Sequence, residues 1–188
     1  GWNASDRFYW RFELLGHHVP PEVEELAEGY FDSGDLAMAK AAFRLLIECF
    51  DDYAEGHNYL GLIALHEDDL EEAEGRFRRT VEVGRRLFPA RISKRTYGSD
   101  HKTRPYIRGL KNLALTLNRR AKYEEAFDVC RRLEEQCGDR DAADAHRGTI
   151  HLNLGRWEEA AAAALRLHGL FPSESFVAAF ALRELGRS

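Results

Sequence analysis

The chain repeats itself, and that feature constrains its fold more than any other. Leu26-Ala27, Leu60-Gly61, Leu113-Ala114 and Arg147-Gly148 align as one series, and Ala39, Ala73, Ala126 and Ala160 as a second. In both series the steps are 34, 53 and 34 residues, and 53 is one period of 34 with 19 residues inserted. Phe43 and Phe77 follow their alanines by four positions; Cys130 and Ala164 hold that place later. Between the two series lie Gly34-Asp35-Leu36, Asp68-Asp69-Leu70, Ala121-Lys122-Tyr123 and Gly155-Arg156-Trp157, residue types that suit a tight turn. Three of these turns run on into Glu-Glu-Ala, ending at Ala73, Ala126 and Ala160. A fixed period of this length marks a supersecondary unit that cannot bury its apolar face alone and stacks on its neighbours.

Within each unit the apolar spacing is three and four. The stretches Val23, Leu26, Ala27, Tyr30 and then Leu110, Leu113, Ala114, Leu117 illustrate it before the turn, and Ala39, Phe43, Leu46 after it. The spacing predicts helix pairs over 21–33 and 36–50, 54–66 and 70–87, 105–119 and 122–137, and 140–154 and 157–170. A last helix is expected over 173–185, with Ser173 as its N-cap, and Pro105 is expected to open its own helix. Small residues recur where helices cross closely.

These residues resemble the tetratricopeptide repeat (TPR) family, whose pattern is W-x2-L-G-x2-Y, then A-x3-F, then P. The resemblance runs from Pro20 to about Ser188 in four copies; the leading Trp is absent, Tyr30 is the one Tyr in place, and Pro172 is the surviving closing Pro. It implies an all-α, right-handed α-α superhelix of about four helix-turn-helix repeats with terminal helices. The repeats are placed at about 20–53, 54–87, 107–140 and 141–172, with a basic insertion at 88–106 and a C-terminal helix at 173–188. Ahead of them, residues 1–19 hold Trp2, Phe8, Tyr9, Trp10, Phe12, Leu14 and Leu15, read as an aromatic capping helix or segment. Leu185-Gly186-Arg187 echoes Leu154-Gly155-Arg156, which closes a first helix. The chain also opens on Gly1 and holds one Met, so its ends are read as those of a stretch cut from a longer array.

Net charge is −5, but it is unevenly spread: −14 over residues 1–75, +13 over 76–122 and −4 over 123–188. A like-charged cluster repels itself unless something opposes it. The opposing charge is either the acidic first part of the chain or an acidic ligand. The resemblance implies that first helices line a concave face on which a partner peptide lies extended. In that register the inward positions include Glu24 and Glu28, then Asn58, Leu62 and His66, then Arg108, Lys111, Leu115, Asn118 and Arg119, then Ala145, Thr149 and Asn153. Asn58, His66, Arg104, Arg108, Lys111, Leu115, Asn118, Arg119, Thr149 and Asn153 are therefore the expected partner-binding residues. Asn side chains suit a peptide backbone, and Arg forks suit carboxylates, so an acidic peptide is the sharper expectation, helped by Arg91, Lys94 and Arg95 of the insertion. The TPR subclass that clamps a terminal carboxylate uses Lys and Asn where this chain has Glu24 and Glu28, and Leu115 stands in place of a later Asn, so a full clamp is not expected.

Two other readings remain open: a homodimer joining the acidic N-terminal and basic middle regions, and a nucleic-acid-associated regulator using residues 76–122. An acidic total and the lack of a nucleic-acid module weigh against the second. No HExxH, GxSxG, P-loop or GxGxxG is present, so no enzymatic chemistry, metal or cofactor is expected. No run approaches 18 apolar residues, which argues against a membrane span, and no signal peptide is visible. Cys49, Cys130 and Cys137 give no even disulfide framework, so a reduced, cytoplasmic setting is expected.

Overall fold

A computed structural model describes residues 19–88, 100, 102–167 and 172–186; for Pro172, Ser173 and Glu174 it describes the backbone alone. The described residues are helical or in turns, with no strand among them. The helices are α1 Pro21–Asp32, α2 Leu36–Cys49, α3 Ala54–His66, α4 Leu70–Arg86, α5 Arg104–Arg119, α6 Tyr123–Glu135, α7 Arg140–Asn153, α8 Trp157–Arg166 and α9 Pro172–Glu184. Two expected starts are corrected. The helix opening the third repeat begins at Arg104, with Pro105 second, and α9 begins at Pro172, which leaves Ser173 inside the first turn rather than at the cap. Either proline is tolerated there because the first turn has no intrahelical acceptor for its missing N–H. The expected N-terminal segment 1–18 and most of the insertion, including Arg91, Lys94 and Arg95, lie outside the described residues.

The turn within each helix pair is built the same way four times. The second residue past the first helix has positive φ: Gly34 at 82°, Asp68 at 58°, Ala121 at 57° and Gly155 at 67°. Its N–H bonds three residues back, and the next N–H bonds five residues back. Thus Asp35 donates to the Tyr30 carbonyl at 2.9 Å, Asp69 to Ala64 at 2.9 Å, Lys122 to Leu117 at 2.9 Å and Arg156 to His151 at 2.9 Å. This is the Schellman closure, and it satisfies carbonyls that a helix end otherwise strands. The residue making the longer bond also starts the next helix. Asp35 and Asp69 cap α2 and α4 by accepting from the N–H of Met38 at 3.1 Å and Glu72 at 3.0 Å. Lys122 and Arg156 hold that position in the later pairs and offer no side-chain cap.

The chain divides into two compact units, residues 1–109 and 110–188. In the first, α1 packs on α2, α2 on α3 and α3 on α4. Its core gathers Val19, Ala27, Ala39, Phe43, Leu46, Tyr53, Leu60 and Ile63, with the Phe43 and Tyr59 rings stacked at 4.5 Å. The repeated small residue has a steric reason: a Cβ at Gly61 would lie 2.5 Å from the Phe77 ring. At the insertion's described edges, Phe88 meets the Tyr106 ring at 5.0 Å and Arg85 lies over Phe88 at 4.3 Å. In the second unit α6 packs on α7, α7 on α8, α8 on α9, and α7 also reaches α9. Buried Ala160, Ala161, Ala163 and Ala164 make α8 a thin element that its neighbours approach closely. Cys130 and Cys137 are buried there, while Cys49 of the first unit is exposed; all three are free thiols.

Candidate interaction faces

In the first unit, side chains from successive first helices bond one another. The Tyr53 hydroxyl, just ahead of α3, donates to Glu24 Oε1 of α1 at 2.9 Å, and Tyr59 of α3 donates to Glu28 Oε1 of α1 at 3.0 Å. Arg108 of α5 donates from Nη1 to Glu55 Oε1 of α3 at 2.9 Å. The Glu55 side chain is 12% exposed, and its Oε2 is buried without a hydrogen-bond partner. Burial pushes the Glu55 carboxyl up, against the pull of Arg108, and burial does the same to Glu28 against its bond from Tyr59. Both tyrosine hydroxyls are pushed up as well, by burial first and then by the carboxylates they serve. The face thus brings Glu24, Glu28 and Glu55 near the guanidinium of Arg108.

The other expected residues of this unit are placed differently. Asn58 is buried at 4% exposure, so its amide is not open to solvent. His66 is exposed, with its ring 6.0 Å from that of Phe31, and Arg104 is exposed at the start of α5. Sequence reasoning named Glu24, Glu28 and Arg108 but missed Tyr53, Glu55 and Tyr59. A signal existed for one of them: stepping back from Arg108 by the 53-residue interval lands on Glu55.

In the second unit an amide group forms between α5 and α7. Asn118 Oδ1 accepts from Asn153 Nδ2 at 3.0 Å, its Nδ2 reaches Thr149 Oγ1 at 3.4 Å, and Thr149 donates to the His146 carbonyl at 2.9 Å. Lys111 of α5 pairs with Asp139 at 2.8 Å, and beside them burial, then Lys111, pushes His146 down to about 4. Leu115 and Arg119 of α5 are exposed. Lys111, Asn118, Thr149 and Asn153, named from the register, therefore stand on two neighbouring helices of this unit.

Much of the described part of the basic middle is paired. On α4, Arg76 bonds Glu72 at 2.7 Å, Arg78 bonds Glu74 at 2.9 Å, and Arg79 and Arg86 both bond Glu82 at 2.6 Å. Those two guanidiniums hold the Glu82 carboxyl below its usual range, Arg79 first. Among the described residues no group of three or more His, Cys, Asp or Glu is arranged to hold a metal, and no helix is long and apolar enough to cross a membrane. A scan against protein-family models gives no match, and a search of curated proteins finds none either.

Proposed function

We propose that the chain is a TPR-type interaction scaffold: a right-handed stack of helix pairs whose first helices present a face to an extended segment of a partner protein, with no chemistry of its own. The observation that carries this reading is the side-chain bonding between successive first helices, Tyr53 and Tyr59 to α1, Arg108 to α3, and Asn118 to α7. Within each unit it favours neighbouring first helices standing side by side with polar groups between them, groups of the kind a peptide backbone can use. The identical Schellman turns support the repeat on which the reading depends. Three free cysteines without a pairing pattern support a reduced, cytoplasmic setting.

The charge of the partner follows a different balance from the raw +13. Arg108 and Lys111 are each held by a carboxylate of the chain, so an acidic peptide would exchange existing pairs rather than add new ones. The partly exposed Lys111–Asp139 pair is worth about 0.2–1 kcal/mol, and taking Arg108 away would strand the buried Glu55 carboxylate, so neither exchange favours an acidic ligand enough to set affinity. We therefore place recognition in the peptide backbone and in the apolar Leu115 position, with charge as a modifier.

The test is selection from a random peptide display library on the intact chain, followed by binding of the selected peptides to Leu115→Asp and Arg108→Glu variants. The reading expects weakening of at least about tenfold for Leu115→Asp, the worth of a lost apolar contact. Selected peptides that bind both variants as well as wild type would remove the first-helix face from consideration. Enrichment of Asp and Glu among them would restore the acidic partner; enrichment of Lys and Arg would assign the carboxylates of α1 and α3 the larger role.

A further inference from the structure

In the first unit Glu28 and Glu55 lie within reach of each other's charge and are short of donors. Among the described residues Glu28 takes its hydrogen bond from Tyr59, at Oε1 and 3.0 Å. Glu55 takes one from Arg108, at Oε1 and 2.9 Å, while its Oε2 is buried and accepts nothing. An exposed acidic cluster leaves its oxygens to water; a buried carboxylate oxygen without a donor has lost that water and gained no bond. Burial raises both carboxyls by more than Tyr59 and Arg108 lower them. Glu24 and Asp32 of α1 add repulsion at Glu28, and Arg108 is the described cation that opposes it. Asp32 also ends α1 with an acid where the helix dipole favours a base, and α1 itself carries no basic residue.

Such a group is relieved either by a proton or by a cation from outside. Among the described residues no set of side chains is arranged for a metal ion, so the fitting cation is one that bonds through N–H. We propose that this face of α1 and α3 receives an arginine side chain of the partner segment, whose N–H groups bond the second oxygen of Glu28 and whose charge offsets that of Glu55. The proposal rests on the scaffold reading above and adds to it the chemistry of one position in the partner. A guanidinium suits half-buried Glu28 better than an ammonium does, because its fork makes parallel bonds and it gives up water more readily. Unlike an acidic ligand, it takes no donor from the chain: Arg108 stays on Glu55.

The experiment is an NMR titration of the full chain with acetyl-Gly-Gly-Arg-Gly-Gly-amide and with the same peptide carrying citrulline. Citrulline keeps the size of arginine and much of its hydrogen bonding but loses the charge. Expected is binding of the arginine peptide near about 1 mM, at least about tenfold tighter than the citrulline peptide, with movement of the Glu28 carboxyl resonance. Glu28→Gln keeps an oxygen for Tyr59 and should weaken the arginine peptide about tenfold. Glu158→Gln makes the same change of charge at an exposed residue of α8, in the other unit, and should leave binding as it is. If Glu28→Gln loses its helical signal, Asp32→Asn, exposed one turn further along α1, replaces it with a smaller fall expected. Equal binding of the two peptides overturns the proposal, and so does an equal loss in Glu158→Gln, which would reflect net charge alone. Library peptides weakened by Leu115→Asp, with the arginine probe indifferent to Glu28→Gln, would keep the scaffold and reject this site. The arginine probe held by Glu28, with no library peptide sensitive to Leu115→Asp, would do the reverse.

Discussion

At the scale of single residues the repeat is enforced by space and by backbone angle. Gly61 has no room for a methyl group beside Phe77, whereas nothing lies within 4 Å of a Cβ built on Gly75 of α4. Gly61→Ala should therefore cost about 1–3 kcal/mol by overpacking. Gly75→Ala should gain about 0.5–1 kcal/mol through helix propensity. Urea unfolding of the two variants tests the contrast, and equal effects would mean that Gly61 does not mark a crossing. Ala121 holds φ at 57°, where an L-residue is strained and its counterparts Gly34 and Gly155 are not. Ala121→Gly should stabilise by about 1 kcal/mol in the same assay. Titration is also local. Burial is the main reason His57 and His146 are both pushed down to about 4 from an ordinary 6.5. Because the folded value is the lower one, this stability is complete above 6.5 and is lost as pH falls from there toward 4. Glu28 and Glu55 have raised values and act oppositely, losing stability as pH rises through them, so acid relieves the first unit in part. In the second unit His151 shares the sign of His146. Asp144, raised by burial but held below its usual range by bonds from Arg166 and Arg147, adds a loss at lower pH still. Hydrogen exchange at pH 7 and pH 5 should therefore lose more protection in α7 than in α3; imidazole midpoints near 6.5 by NMR would contradict it.

At the scale of elements, helix positions were legible because two periodicities agree, the spacing of three and four within a helix and 34 between units. Proline shifted two starts by one residue, since the first turn admits it at more than one place. The bonding across first helices was less legible. Tyr53 lies outside its helix and so outside the heptad-like count, yet its hydroxyl is what ties α3 to Glu24. Capping differs between units for a reason visible in sequence: Asp35 and Asp69 give way to Lys122 and Arg156. The backbone at Arg156, φ −89° and ψ 77°, is close to that at Asp69, φ −84° and ψ 81°. Arg156→Asp should therefore supply the missing acceptor and raise stability by about 1 kcal/mol, read as a higher melting temperature. No change would mean that the start of α8 is already satisfied.

For the whole molecule, the charge asymmetry was the least reliable guide. Its boundary at residue 75 runs through α4 and separates Glu72 from Arg76 and Glu74 from Arg78, partners four residues apart. A count along the chain treats as a surplus what the helix has already neutralised, and it cannot see that Arg108 and Lys111 are engaged at long range. The burial of the cysteines has a practical consequence. Cys49 belongs to one compact unit and Cys130 and Cys137 to the other. Burial pushes the Cys130 thiol up to about 12, so it is shielded and unreactive while folded. A thiol-specific dye should consequently label one site within seconds to minutes and the remaining two only as fast as their half opens. The wild-type polypeptide thus carries a built-in handle for attaching a reporter and a slow chemical clock for the second half, and no engineered cysteine is required for either.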